Sequence, residues 1–164
     1  CEQGVRLLQQ HLPGIRALRD VRIEELDALG STLPEVVRRR CRHVITENDR
    51  VTRFAEALAE GDLRRLGPLM RASHDSLRDD YEVSCPELDR LVEIAHAAPG
   101  LVGARMTGGG FGGCTVNLVA TPDVAAFQTA VLEGYQRALN RTPRVFVTSA
   151  AGGARVVPAD ARGA

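Results

Sequence analysis

The chain has 164 residues, 44% of them hydrophobic and only 4% aromatic, so aliphatic side chains and alanine must fill whatever core it builds. Formal net charge is zero with both signs interspersed, which excludes the basic footprint of a nucleic-acid binder, and no apolar run approaches the length of a membrane span. All 21 basic residues are arginine, which excludes a lysine phosphate clamp or a Schiff-base mechanism within this chain.

Cys1 to about Gln10 reads as the end of a helix, broken by His11-Leu12-Pro13-Gly14. The start looks like the middle of an element, so the chain is expected to be a piece of a longer one. Ile15 to Val21 is predicted as a short strand. Arg22 to Leu29 is a short helix stopped at Gly30. Thr32 and Glu35 have capping-box spacing and open a long helix with Val37, Cys41, Val44, Ile45, Val51, Phe54, Ala55 and Leu58 at helical intervals. Gly61 ends it. Asp62 caps the next helix, which runs to about Asp79 with Leu63, Leu66, Met70 and Leu77 on its apolar stripe. Ser84 and Glu87 repeat the capping pattern before a helix burying Leu88, Leu91, Val92 and Ala95; Pro99-Gly100 closes it.

The period then changes. Leu101–Met106 and Thr115–Val119 read as strands around Thr107-Gly108-Gly109-Gly110-Phe111-Gly112-Gly113-Cys114, with five glycines in six positions. Thr121-Pro122 starts a helix with Val124, Phe127, Val131, Tyr135 and Leu139 inward. Arg144–Thr148 reads as a strand and Val156-Val157 as a further sheet edge. The order predicts an α+β fold of the ferredoxin-like split βαβ type, with extra helices on one face of a mostly antiparallel sheet. Residues 1–35 are assigned to a preceding segment of strand and short helices, 36–157 to the main domain and 158–164 to a disordered tail. The cysteines at 1, 41, 85 and 114 form no CxxC pair, so neither a zinc site nor a disulfide framework is expected, and no metal ligands are assigned.

Glycine reaches conformations closed to other residues and lets a ligand or a second backbone come close. Successive N–H groups in such a loop can converge on an anion, phosphate above all. Gly108, Gly109, Gly110, Gly112, Gly113 and Thr107 are therefore the first candidates for nucleotide contact. Phe111 between them is expected to be a hydrophobic pin. Arg105 can pair with phosphate or lie solvated on the outer face of its strand. His74, one turn after Met70, fits a buried structural histidine, and a place close to substrate for Ser73 and His74 is implied only by the family resemblance that follows.

Gly103 to Cys114 resembles the third conserved motif of galactokinases, which belong to the GHMP family of small-molecule kinases. Ser73-His74-Asp75-Ser76-Leu77 with Tyr81-Glu82-Val83-Ser84-Cys85-Pro86-Glu87-Leu88-Asp89 is similar to the stretch preceding that motif. The resemblance runs from Cys1 to about Val157. It implies the C-terminal domain of an enzyme that phosphorylates galactose with ATP and Mg²⁺ in the cytoplasm. It also implies that the phosphate loop, the sugar-binding signature and the catalytic aspartate lie upstream, in an N-terminal domain against which this one packs. The chain alone is then expected to be inactive. Another GHMP sugar kinase, or a non-catalytic ferredoxin-like module that binds a small ligand, is the alternative.

Overall fold

The computed structural model describes residues 1–153. Eight regular elements are formed among them: α1 Glu2–Gln9, α2 Ile23–Leu29, α3 Glu35–Glu60, α4 Leu63–Asp79, α5 Pro86–Ala97, β1 Leu101–Thr107, β2 Cys114–Val119 and α6 Val124–Leu139. None of these helices is long and apolar enough to cross a membrane.

Two apolar clusters organise the chain. The first joins Leu8, Ile15, Leu18, Val21, Leu26 and Leu33 to Cys41 and Ile45 of α3, so residues before α3 share a core with it. The predicted strand at Ile15–Val21 does not form. Ile15, Leu18 and Val21 are buried at every third position, around a 3₁₀ turn at Leu18–Asp20. The Asp20 carboxylate accepts the amides of Arg16 and Ala17 and closes that turn locally, leaving those groups no strand partner. The second cluster holds Val92 and Ala95 of α5, Ala104 of β1 and Phe127 and Val131 of α6. Helices α5 and α6 thus cover one face of the hairpin, as an α+β layer requires.

β1 and β2 pair antiparallel with Arg105 opposite Val116, Met106 opposite Thr115 and Thr107 opposite Cys114, and the register shifts between Leu101 and Gly103. This is the only ladder among the described residues. Residues 144–148 follow α6 without regular structure, and Phe146 is 84% exposed. The strand predicted there has β propensity but no neighbouring strand to complete its backbone hydrogen bonds, and propensity without pairing does not hold a strand. The Val156-Val157 edge and the 158–164 tail lie outside the described residues.

Both predicted capping boxes are replaced by other contacts. Thr32 donates its hydroxyl to the Leu29 carbonyl, and α3 starts after Pro34, with Glu35 paired to Arg38 at 2.7 Å. Ser84 donates to Asp89 at 2.5 Å, and Cys85 takes the N-cap position with Pro86 after it. Asp62 does cap α4: its carboxylate accepts the Arg64 N–H at 3.2 Å, and Gly61 ends α3 in the left-handed region at φ 69°. Asp62→Ala should cost about 1 kcal/mol, read as a small drop in melting temperature with unchanged helical content at low temperature.

Helix α4 lies against β1 at very short range. A Cβ at Gly67 would overlap the Val102 carbonyl oxygen. On the strand side, a Cβ at Gly103 would sit 2.7 Å from the Met70 sulfur. These two glycines let helix and strand backbones touch, and the closeness carries His74 to the end of β1.

Candidate functional site

The hairpin loop is strained and held from one side. Gly108, Gly110 and Gly112 have φ of 77°, 82° and 97°, and Phe111 has 56°. Such angles suit glycine and cost a phenylalanine, so surrounding contacts must hold Phe111 there. The Phe111 N–H donates to the Val83 carbonyl at 2.9 Å, and the Gly113 N–H to the Gly110 carbonyl at 3.2 Å. A Cβ at Gly110 would overlap that same Val83 carbonyl. Gly108, Gly109 and Gly112 face open space instead. The loop therefore has an anchored side against residues 83–84 and an open side.

The Phe111 ring is 76% exposed. The sequence reading of a hydrophobic pin is corrected: its backbone is the fastening, and its ring is presented outward. Two of the loop's N–H groups are also committed internally, which narrows the set able to converge on an anion.

Beneath the loop lies a buried polar chain. His74 is 1% exposed. Its Nδ1 accepts the Met106 N–H at 3.3 Å, so that nitrogen carries no proton, and its Nε2 lies 3.3 Å from Asp89 Oδ1. Ser84 donates to the same carboxylate oxygen. Burial pushes the His74 imidazole below its ordinary range, against the opposing pull of Asp89. The chain Ser84–Asp89–His74–Met106 thus reaches the residue that precedes Thr107.

The turn that carries Val83 is itself fastened. Arg39 donates to Glu82 at 2.7 Å and to the Asp79 carbonyl at 2.8 Å; Arg40 reaches the Asp80 carbonyl and Glu82. The His43 and Tyr81 rings lie 4.6 Å apart. His43 Nδ1 bonds Ser76 Oγ at 3.1 Å, and Ser76 donates to Asp80 at 2.8 Å. Glu82 takes a φ of 58° in this turn.

Ser73 and Arg105 lie elsewhere. Successive residues of a helix point about 100° apart, so Ser73 turns toward α3 and donates to Glu47 at 2.6 Å. Burial raises the Glu47 carboxyl, but the Ser73 and Arg50 hydrogen bonds outweigh it and hold the group below its usual range. Arg105 shares a face with Val116 and lines, with Ser73, Glu47, Phe54 and Leu118, a groove of about 390 Å³ between α3 and the hairpin. Of the predicted residues, His74 joins the glycine loop, while Ser73 and Arg105 join each other in the groove.

The loop joining β1 to β2 in this setting has known counterparts. The family model for the C-terminal part of GHMP kinases matches residues 54–136. The chain belongs to this family. It is 52% identical over 157 residues to a galactokinase of Chloroflexus aurantiacus, covering 96% of this chain and 40% of that protein. A galactokinase of Canis lupus familiaris is 48% identical over 157 residues, 38% of its length. The crystal structure of Lactococcus lactis galactokinase complexed with galactose superposes with a TM-score of 0.79 at 40% identity, over 85% of this chain and 36% of that one. A mevalonate kinase of L. major in complex with R-mevalonate reaches a TM-score of 0.50 at 32% identity, over 76% of this chain and 36% of that one. The chain thus spans about 40% of the length of the curated relatives it matches. Its fold is the α+β fold of the GHMP kinase C-terminal family, with helices on one face of the antiparallel hairpin.

Proposed function

We propose that this chain is the C-terminal part of a galactokinase, with residues 36–157 as its domain and residues 1–35 as the end of the segment before it. In the intact enzyme the anomeric hydroxyl oxygen of galactose attacks the γ-phosphorus of ATP. The new P–O bond forms as the bond to the β-phosphate oxygen breaks, giving galactose 1-phosphate and ADP. The hydroxyl proton passes to a base outside this chain, which supplies no assigned catalytic group. The enzyme works in the cytoplasm.

The observation that carries the reading is the two-sided glycine loop. Val83 and Met106 fix it from beneath, and Gly108, Gly109 and Gly112 keep its other side free of side chains. Such a surface admits a phosphate or a second loop at backbone distance. Thr107, at the end of β1, places a hydroxyl beside it. The names of the relatives support galactose as the acceptor.

Among the described residues no three His, Cys, Asp or Glu side chains are grouped to hold a metal ion. The family resemblance assigns the magnesium ligands to the part of the protein that precedes this chain. Phosphoryl transfer in this account rests on positioning and on backbone dipoles, which are the larger part of what a protein contributes to it.

The test is ATP-dependent phosphorylation of galactose, mevalonate, homoserine and other sugars by the full-length protein carrying this region. Galactose 1-phosphate should be the favoured product, and the isolated 164-residue chain should give none. A preference for another acceptor would replace the substrate. Turnover by the isolated chain would overturn the division of labour.

A further inference from the structure

We propose that His74 is the positioning residue of the glycine loop, and that its unprotonated Nδ1 is the feature that fixes the loop for phosphoryl transfer. The inference rests on the galactokinase reading and adds a role within it. Met106 is the last strand residue before Thr107, and its N–H has His74 Nδ1 as acceptor. Its methyl group lies 3.0 Å from where a Gly110 Cβ would sit, under the middle of the loop. A shift at Met106 therefore moves both the start and the floor of the loop.

Nδ1 accepts the Met106 N–H, so the neutral ring carries its proton on Nε2, where the charge of Asp89 Oδ1 at 3.3 Å favours it. Ser84 holds Asp89 in place, and Ser84 adjoins Val83, whose carbonyl takes the Phe111 N–H. One short segment, residues 83–89, thus anchors the loop twice: directly at Phe111, and through Asp89 and His74 at Met106.

A proton on Nδ1 would turn the acceptor into a donor facing the Met106 N–H. The charged groups around the ring are Asp89 on α5 and Asp75, Asp79, Arg78 and Arg71 on α4; β1 presents the Met106 amide. Burial dominates and favours the neutral ring, with the aspartates pulling the other way and the two arginines with it. The folded value therefore lies below the ordinary value of about 6.5. The neutral arrangement is complete above that pH and is lost as pH falls through the folded value.

Two substitutions separate the hydrogen bonds. In His74→Asn the amide oxygen can take the Nδ1 place and keep the Met106 acceptor while losing Asp89. In His74→Gln the amide nitrogen can keep Asp89 while Met106 loses its acceptor. In the full-length protein at pH 7.5, His74→Gln should lower kcat about tenfold to a hundredfold with galactose KM within about twofold, as expected for a misplaced active-site loop. His74→Asn should stay within about threefold, and the added loss of kcat expected in wild type as Nδ1 takes up a proton at acid pH should be absent from it. Hydrogen exchange at Met106 and Phe111 should be faster in His74→Gln than in His74→Asn. Equal losses that follow the melting temperatures, or a fully active His74→Gln, would each overturn the proposal. Were wild type not to phosphorylate galactose, the substrate reading would fall, and the exchange comparison would still decide whether His74 holds the loop.

Discussion

Replacing Gly110 by alanine should unfix the loop and slow transfer severely. The residue has φ 82°, where an L side chain is strained, and its Cβ would overlap the Val83 carbonyl oxygen. The overlapped atoms belong to the Val83 backbone, which cannot swing aside as a side chain could. The strain and the overlap together should cost about 3 kcal/mol, or a melting temperature lower by roughly 6–12 °C. In the full-length enzyme kcat should fall by about 100-fold or more. Gly109→Ala is the informative control. Its φ is not positive and its Cβ would meet nothing within 4 Å. Stability should change by less than about 0.5 kcal/mol. If ligand fills that open space, kcat/KM should nevertheless fall at least tenfold, roughly 1.4 kcal/mol of transition-state stabilisation. Full activity in Gly109→Ala would show that nothing approaches the loop there. A normal melting temperature in Gly110→Ala would show that Val83 is not its anchor.

The second large effect is expected at Gly67. Alanine is the better helix former by about 1 kcal/mol, which alone would stabilise α4. Here the added methyl would overlap the Val102 carbonyl oxygen, a backbone atom of β1. Separating α4 from β1 also opens the contacts of Gly103 and Met70 and draws His74 away from Met106. Overpacking of this kind should outweigh the helix gain and leave a net loss of about 2 kcal/mol, seen as a drop of roughly 4–8 °C in melting temperature. An unchanged or raised melting temperature would mean that the helix slides at no cost.

The helices were legible in the sequence because each carries its own period and its own stop. Gly61 and Asp62 end and begin α3 and α4 as read, and Val92, Phe127 and Val131 are buried where the spacing places them. The hairpin was legible because alternation surrounds a glycine run. The strands at 15–21 and 144–148 were misread for one reason: a strand is a pairing, and pairing partners are not written in a local pattern. The caps at Thr32 and Ser84 failed because both hydroxyls found other partners, Leu29 and Asp89, that capping-box spacing does not reveal.

The site divides in the same way. The glycines announce themselves by conformational freedom. His74 stood out as an inward histidine, but its two partners lie 32 and 15 residues away in sequence on different elements. Val83 carries no chemical signal at all, since its contribution is a main-chain carbonyl. Ser73, adjacent to His74, belongs to a different surface because a helix turns about 100° per residue.

The turn at residues 79–82 is fastened to α3 by two guanidinium groups and a ring stack. Guanidinium keeps its charge far into the alkaline range, where an ammonium group would lose it. Its planar fork also engages backbone carbonyls and a carboxylate at once. Reagents that acylate amines find no target among these guanidinium contacts, which keep their charge in basic solution. Whatever stiffness the turn lends to Val83 should therefore persist through high pH and lysine-directed chemical modification alike.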